Sequence, residues 1–252
     1  MFQVNLTTTF DKLCDAALSL IYPQPCAVCG VRLVESRADG TVCAQCWTAT
    51  RLFAGDETLC WKCGAIAVGT LPEEARAKVR CRRCDAEAFD AARACGPYEG
   101  ALRAAVLRLK REPFVPERVT RMLGEARGRE PLDAASLVMP VPLHPERERE
   151  RGFNQAALLG RAVAGRCGLR LDEFSLTRVA HSERHRAGMD ARARRESVED
   201  AFAMVRPRLV EGESVLLIDD VFTTGATVSA CARVLLDAGA RKVFVLTVAR
   251  AE

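Results

Sequence analysis

The sequence predicts an α/β fold in which a mostly parallel β-sheet is flanked by helices and preceded by a small cysteine-rich module. Short apolar runs alternate with helix-like patterns after residue 96. Four Cys-x-x-Cys units precede that region, and the 252-residue chain has an ordinary globular composition, 49% hydrophobic and 28% charged. We expect a boundary that separates residues 1–95, with the module, from a larger domain at residues 96–252.

The first expected element is an amphipathic helix near residues 9–21. Apolar residues such as Phe10 and Leu13 recur there at helical spacing, and Pro23 ends the pattern. A membrane-surface helix would carry several basic residues on its polar face, whereas this segment has only Lys12. We therefore expect the helix to pack against the cysteine-rich module.

Eight of the twelve cysteines fall in the four Cys-x-x-Cys units. A two-residue gap directs both sulfurs at one ion, and two such units complete the four-sulfur shell that structural Zn²⁺ prefers. Pairing neighbouring units predicts two structural zinc ions, although an interleaved pairing is an alternative. The predicted ligands are Cys26, Cys29, Cys43 and Cys46 for one ion, and Cys60, Cys63, Cys81 and Cys84 for the other.

Redox and iron–sulfur chemistry are the alternatives for these cysteines. A thioredoxin-like site needs one Cys-x-x-Cys pair in a strand–helix setting, and four pairs among polar loops fit this poorly. An iron–sulfur cluster is a minority alternative. The other four cysteines lie in apolar or helical contexts, where buried small hydrophobic residues are expected: Cys14, Cys95, Cys167 and Cys231.

Charge and hydropathy exclude several classes of protein. The net charge of +4 and the pI near 8.5 are low for a dedicated nucleic-acid module, and residues 1–95 hold equal numbers of basic and acidic side chains. No apolar run approaches the roughly 20 residues that span a bilayer. The amino end also lacks the pattern of a signal peptide. We expect a cytoplasmic protein without a membrane span.

The larger domain is expected to alternate helices and strands, which implies ligand binding beyond the carboxyl ends of the strands. The expected helices span residues 101–110, 153–166 and 226–238, and the expected strands span residues 137–141, 215–218 and 242–248.

The most informative segment is the turn that follows the strand at residues 215–218. Asp219 and Asp220 come first, and their carboxylates can accept hydrogen bonds from sugar hydroxyls. A hydroxyl-rich turn then opens a helix, whose free N–H groups favour a phosphate. The turn consists of Thr223, Thr224, Gly225, Ala226 and Thr227. The alternative is an ordinary buried strand, turn and helix with a solvated acidic pair.

A second anion-binding segment is expected after the strand at residues 137–141. Arg151 and Gly152 follow a charge run whose middle part suits a solvated face, and Asn154 suits a helix cap. At that position an arginine can hold a diphosphate with two donors.

The segment around Asp219 and Asp220 resembles the PRPP-binding motif of type I phosphoribosyltransferases, and the chain as a whole resembles the ComF family. Beside the Cys-x-x-Cys units and the acidic turn, the likeness rests on Leu109-Lys110, Val141-Pro-Leu-His-Pro145, Arg149-Glu-Arg-Gly-Phe-Asn-Gln-Ala156, Arg195 through Ala201-Phe202, and Leu246-Thr-Val-Ala-Arg250. The resemblance implies a type I phosphoribosyltransferase-like domain behind a double zinc ribbon, in a protein associated with competence and the handling of incoming DNA.

The resemblance also implies roles for single residues. Asp219 and Asp220 would contact the ribose and act in catalysis, the turn would hold the 5′-phosphate, and Arg151 and Lys110 would face the diphosphate. Mg²⁺ would bind together with PRPP. The implied function is binding of PRPP or a related ribose 5-phosphate, with pentosyl transfer, in DNA uptake or nucleotide metabolism. The alternative is a non-catalytic, PRPP-responsive factor that binds single-stranded DNA or proteins of DNA uptake.

The chain departs from the family pattern between residues 178 and 202. Similar proteins carry a Gln and an Asn in a mobile loop, and Arg186 and Ser197 stand at those positions here. This basic segment suits a solvated helix face, a lid over an anion, or a track for a nucleic-acid backbone. Its basic residues include Arg184, Arg192, Arg194 and Arg195, with His181 and His185.

Overall fold

A computed structural model describes residues 23–35, 40–67, 69, 71–179 and 201–251 of the chain. The expected helix near residues 9–21 lies outside the described residues, and so does nearly all of the basic segment at 178–195. Within the described ranges, no helix combines the length and the apolar character needed to cross a bilayer.

The secondary structure of the described residues alternates as the sequence predicts. The helices are α1 (Ala44–Ala49), α2 (Glu73–Arg76), α3 (Gly100–Leu109), α4 (Glu117–Arg127), α5 (Pro145–Arg151), α6 (Gln155–Cys167) and α7 (Ala226–Asp237). The strands are β1 (Ala91–Ala94), β2 (Leu137–Pro140), β3 (Arg170–Leu171), β4 (Leu176–Arg178), β5 (Phe202–Met204), β6 (Ser214–Phe222) and β7 (Lys242–Arg250).

Five strands form one parallel sheet in the order β1-β7-β6-β2-β3. β4 and β5 form a separate antiparallel ribbon. The longest strands, β6 and β7, lie at the centre, where Ile218 pairs with Leu246 on one side and with Pro140 on the other. The predicted mostly parallel sheet with flanking helices is confirmed.

Alternating residues of the central strands build two cores, one on each face of the sheet. Leu216 and Ile218 of β6 pack on the face covered by α3, α4 and α6. Val215 and Leu217 pack on the face covered by α7, where Leu235 is fully buried. Because both faces are covered, the strands read as continuous apolar runs rather than as an alternating pattern.

β6 is longer than the sequence predicts. The expected strand ends at residue 218, whereas β6 continues to Phe222 and contains both aspartates. The reason is its partner β7, which pairs with it as far as Arg250, while β2 on the other side stops at Pro140. Asp219 and Asp220 are therefore held by one neighbouring strand and open on the other side.

The cysteine-rich module packs against both faces of the sheet. Cys26 and Cys43 contribute to the core on the α3 side, whereas Cys60, Cys63 and Cys84 contribute to the core on the α7 side. β1 lies before residue 95 and forms an edge strand of the sheet. The division into units at residues 1–95 and 96–252 stays a prediction.

Candidate functional site

The acidic pair lies near the carboxyl end of β6 and meets a lysine from the opposite end of the domain sequence. Nζ of Lys110, the residue that caps the carboxyl end of α3, is 3.2 Å from Oδ2 of Asp220. Asp220 is buried, and this oxygen has no hydrogen-bond partner among the described residues. The structure thus brings together two residues that the sequence analysis assigned to one ligand.

Asp219 occupies a different environment from its neighbour. Burial, followed by the adjacent charge of Asp220, raises the pKa of Asp219 to about 8. Asp219 Oδ1 accepts a hydrogen bond of 2.8 Å from the backbone N–H of Asp220, which partly offsets the rise. A carboxyl held in this state is poised to exchange a proton or gain a cationic partner when a ligand binds.

The turn after β6 requires glycine at its centre. Gly225 has a φ of +88° and precedes α7 directly, and a Cβ at this position would lie 2.9 Å from Cζ of Phe222. The left-handed backbone and the close ring together exclude larger residues. Gly225 therefore fixes the path by which the chain turns from the strand into α7.

The other turn residues present polar groups to solvent. Thr223 and Thr224 are exposed, and Thr224 Oγ1 accepts a 3.4 Å hydrogen bond from the N–H of Ala226. α7 has 12 residues and begins at Ala226, so the N–H groups of its first turn, including that of Thr227, have no acceptor within the helix. Hydroxyls and free N–H groups at a helix start form an arrangement that suits a phosphate.

Arg151 contacts the helix that follows it, α6, and not the acidic pair. It ends α5, and its guanidinium donates to Oε1 of Gln155 in the next helix. Asn154 caps that helix by accepting a 2.9 Å hydrogen bond from Ala156 N–H, as the sequence predicts. No hydrogen bond or ion pair joins Arg151 to the acidic pair or to the turn within the part of the chain that is described.

The eight predicted metal ligands gather into two groups of four, which we call the first and second tetrads. In each tetrad the four sulfurs lie within 4.8 Å of one another. The first tetrad consists of Cys26, Cys29, Cys43 and Cys46, and the second of Cys60, Cys63, Cys81 and Cys84. Neighbouring Cys-x-x-Cys units are thus paired, and the interleaved alternative is wrong.

The spacing of the sulfurs suits a bound cation. In the second tetrad, the sulfurs of Cys63 and Cys81 are 3.5 Å apart and those of Cys60 and Cys84 are 3.6 Å apart. These spacings suit a tetrahedral ion with metal–sulfur bonds near 2.3 Å. Backbone N–H groups also donate to sulfur, as Cys81 N–H does to Cys60 at 3.3 Å.

Backbone hydrogen bonds favour a thiolate at one cysteine in particular in each tetrad, Cys26 in the first and Cys60 in the second. Burial raises the pKa of Cys26, but the backbone N–H groups of Cys29, Cys43 and Val28 outweigh it and lower this pKa to about 6. In the second tetrad, burial and backbone hydrogen bonds oppose each other in the same way, and the pKa of Cys60 is lowered to about 6. The donor set of both tetrads therefore fits Zn²⁺, which binds thiolates.

A cleft of about 810 Å³ joins the second tetrad to the turn. Its lining includes Cys63, Arg83, Thr223, Thr224 and Arg250. From the sequence, the module and the anion site are expected to be separate, and Arg250 has no expected role. The available signal was an arginine placed directly after the apolar run of β7, at the same edge of the sheet as the acidic pair.

A family model described as a double zinc ribbon domain matches residues 17–96. The two tetrads are consistent with two zinc ions. Fold and site together define the class: an α/β protein with a parallel sheet, a turn of glycine and hydroxyl residues at the sheet's carboxyl edge, and a double zinc ribbon.

Relatives identify the family within this class. The DNA utilization protein YhgH of Salmonella typhimurium is 30% identical over 240 residues, which cover 92% of this chain and 99% of the relative. The competence protein ComFC of Bacillus subtilis is 36% identical over 107 residues, covering 42% of this chain and 41% of that protein. The chain belongs to the ComF family.

Among solved structures, a glutamine PRPP amidotransferase from B. subtilis aligns with a TM-score of 0.36 and 21% identity, covering 50% of this chain and 24% of that chain.

Proposed function

We propose that the protein binds PRPP or a related ribose 5-phosphate at the carboxyl edge of the sheet. Asp219 and Asp220 contact the ribose hydroxyls, and residues 223–227 hold the 5′-phosphate. Lys110 and Arg151 face the diphosphate. This ligand combines a sugar with two anionic groups, which matches a site that combines carboxylates, a helix start and a lysine.

One observation carries the proposal: the contact between Lys110 and Asp220 beside the turn. An ammonium beside a buried carboxylate suits a ribose diphosphate. The ammonium can pair with the anionic diphosphate, and the carboxylate can accept hydrogen bonds from the ribose hydroxyls. In the structure, the charges of Lys110 and Asp220 compensate each other. When the ligand binds, the ammonium pairs with the diphosphate, and the carboxylate accepts hydrogen bonds from the ribose.

The same arrangement supports pentosyl transfer. In such a reaction, an acceptor nitrogen donates its electron pair to the anomeric carbon while the bond from that carbon to diphosphate breaks. The acidic pair stabilises the positive charge that develops on the sugar, and Lys110 stabilises the leaving diphosphate. Mg²⁺, when bound with PRPP, would neutralise part of the diphosphate charge.

Calorimetric titration with PRPP and Mg²⁺ tests the binding proposal. The double variant Asp219→Asn with Asp220→Asn is expected to abolish binding. Asp237→Asn, which removes an exposed carboxylate at the far end of α7, is the matched control and should bind as the wild type does. Equal affinity of the double variant and the wild type would refute the site, and diphosphate release in the same samples tests turnover.

A role in DNA uptake or DNA use is a second candidate function. It is supported by the names of the relatives and by four exposed cationic side chains within residues 78–83, namely Lys78, Arg80, Arg82 and Arg83. Residues 1–95 are neutral as a whole, but these cations concentrate beside the second tetrad. A cluster of this kind can contact the backbone of a nucleic acid.

Binding of a single-stranded oligonucleotide at increasing salt tests this candidate. Affinity should fall steeply with salt, and the slope should decrease in a variant with Arg80, Arg82 and Arg83 changed to Gln. A variant with Arg147 and Arg149 of α5 changed to Gln is the control, because it removes exposed cations elsewhere. Failure to bind an oligonucleotide even at low salt would exclude the nucleic-acid contact.

A further inference from the structure

Arg250 contacts both the second tetrad and the residue that supports the turn. Its guanidinium donates to the backbone carbonyl of Cys63, and Nη2 lies 4.0 Å from the Cys63 sulfur. The same guanidinium lies over the ring of Phe222, with 4.6 Å between its central carbon and the ring centroid. One side chain thus joins a predicted metal ligand to the end of β6.

Phe222 lies between Arg250 and the turn. Its ring is buried and lies so close to Gly225 that a Cβ there would clash with it. On another side the ring meets Phe89 edge-on, with centroids 5.9 Å apart. Because the ring is confined by Phe89 and Arg250, a shift of the guanidinium changes the space in which Gly225 and the start of α7 are held.

The charge of a metal-loaded tetrad strengthens this connection. Four thiolates around one divalent cation carry a net negative charge, which attracts a guanidinium. Two arginines approach the second tetrad from the sheet. Arg250 comes from β7, and Arg93 comes from β1, where it donates to the carbonyl of Trp61 at 2.8 Å and stacks on that ring. Of the two, Arg250 is the one that contacts Phe222.

We propose that Arg250 is a positioning residue that couples metal binding at the second tetrad to the anion affinity of the 223–227 turn. With the metal bound, the tetrad holds the guanidinium over Phe222, and the turn keeps the geometry that accepts a phosphate. Loss of that metal releases Arg250 and loosens the turn. The affinity part of this inference rests on the proposed binding of a ribose 5-phosphate, whereas the ordering of the turn does not.

Two measurements on the full chain test the coupling. The first is hydrogen exchange of the backbone amides at residues 223–228, and the second is calorimetric affinity for ribose 5-phosphate. Arg250→Met keeps the apolar stem but removes the donors and the charge. We expect it to retain both zinc ions by metal analysis, to speed exchange in the turn about tenfold, and to weaken ribose 5-phosphate binding about tenfold.

Matched variants separate coupling from general destabilisation. Arg93→Met removes the other arginine that reaches the second tetrad from the sheet and, with both ions retained, should leave exchange in the turn unchanged. Cys81→Ser removes the second ion and should reproduce the Arg250→Met effect, whereas Cys29→Ser removes the first ion and should not. Combining Arg250→Met with Cys81→Ser should add little to either change, because both act through the same contact.

The outcomes distinguish this inference from the proposed function. Wild-type protein that binds neither PRPP nor ribose 5-phosphate refutes the proposed function, while the exchange experiment still decides the coupling. Normal exchange in zinc-loaded Arg250→Met overturns the coupling, and so does equal loosening by Cys29→Ser and Cys81→Ser. If Arg250→Met folds poorly, Arg250→Lys, which keeps the charge but loses the planar donor pair, should give an intermediate exchange rate; a wild-type rate would also overturn the coupling.

Discussion

The ammonium of Lys110 lies 3.2 Å from a carboxylate oxygen of Asp220, although Lys110 follows α3 directly and Asp220 belongs to β6. Asp220 is buried and Lys110 is half-buried, so the pair sits at the border between the core and the carboxyl edge of the sheet. In the proposed site, each member of the pair has its own part of the ligand to bind.

Lys110→Met is expected to weaken PRPP binding about tenfold, because the diphosphate loses a cationic partner. It should also lower the free energy of unfolding by about 1 kcal/mol, since a buried carboxylate is left without a counter-charge. Calorimetry and denaturant unfolding measure the two effects. Lys110→Arg, which keeps the charge, should recover most of both, and a Met variant that binds normally would remove Lys110 from the site.

Asp219→Asn is expected to stabilise the unliganded protein at high pH. The pKa of Asp219 is raised to about 8 in the fold, from an ordinary value of 3.8, so the folded protein retains a proton that the unfolded chain has released between these values. Stability therefore falls as the pH rises through this window. Asn does not ionise, so the variant should equal the wild type near pH 4 and exceed it by about 1–3 kcal/mol near pH 8.

Thermal unfolding at a series of pH values checks this prediction. A difference of 1 kcal/mol corresponds to a shift of about 2–4 °C in Tm for a chain of this size. The exposed Asp237→Asn is again the control, and its difference from the wild type should not grow with pH. A Tm difference for Asp219→Asn that stays constant from pH 4 to pH 8 would contradict the raised pKa.

Gly225→Ala is expected to abolish binding of the 5′-phosphate and to lower the free energy of unfolding by about 1–3 kcal/mol. The φ of +88° disfavours alanine, and its Cβ would lie 2.9 Å from the Phe222 ring. Gly165→Ala in α6 is the matched control, because a Cβ there meets nothing within 4 Å. Helix propensity predicts that this control is neutral or slightly stabilising. An alanine at 225 that binds ribose 5-phosphate normally would show that the turn geometry does not matter.

Purified protein is expected to contain two zinc ions per chain, and a chelator should lower its Tm. Zinc binds thiolates and protons compete for the same sulfurs, so zinc affinity should drop as the pH falls. Metal analysis after dialysis at pH 5 and pH 7.5 measures this. Cys231→Ser alters a cysteine outside the tetrads and should retain both ions, whereas a metal content that does not depend on either tetrad would contradict the assignment.

The sequence predicts much of the fold, because the strands and helices depend on local patterns of apolar residues. The apolar runs of β2, β6 and β7 are continuous since both faces of the sheet are covered, and the helices at residues 101–110, 153–166 and 226–238 were predicted to within two residues at each end. Spacing also favours the neighbouring pairing of the cysteines, but it leaves the interleaved pairing open, and the positions of the sulfurs in the fold decide between them. The sequence does not predict the extent of β6, because the length of a strand depends on the partner beside it, and β7 is 20 residues further along the chain.

Short stretches of sequence supply the chemical groups of the protein: eight thiols in Cys-x-x-Cys spacing, two adjacent carboxylates, and a glycine and hydroxyls before a helix. Each of these depends on residues a few positions apart. Tertiary structure decided which distant groups meet, namely Lys110 with Asp220, and Cys63 with Arg250 and Phe222. Such contacts depend on how the module and the helices pack on the two faces of one sheet. The spacing of residues along the chain does not predict that packing.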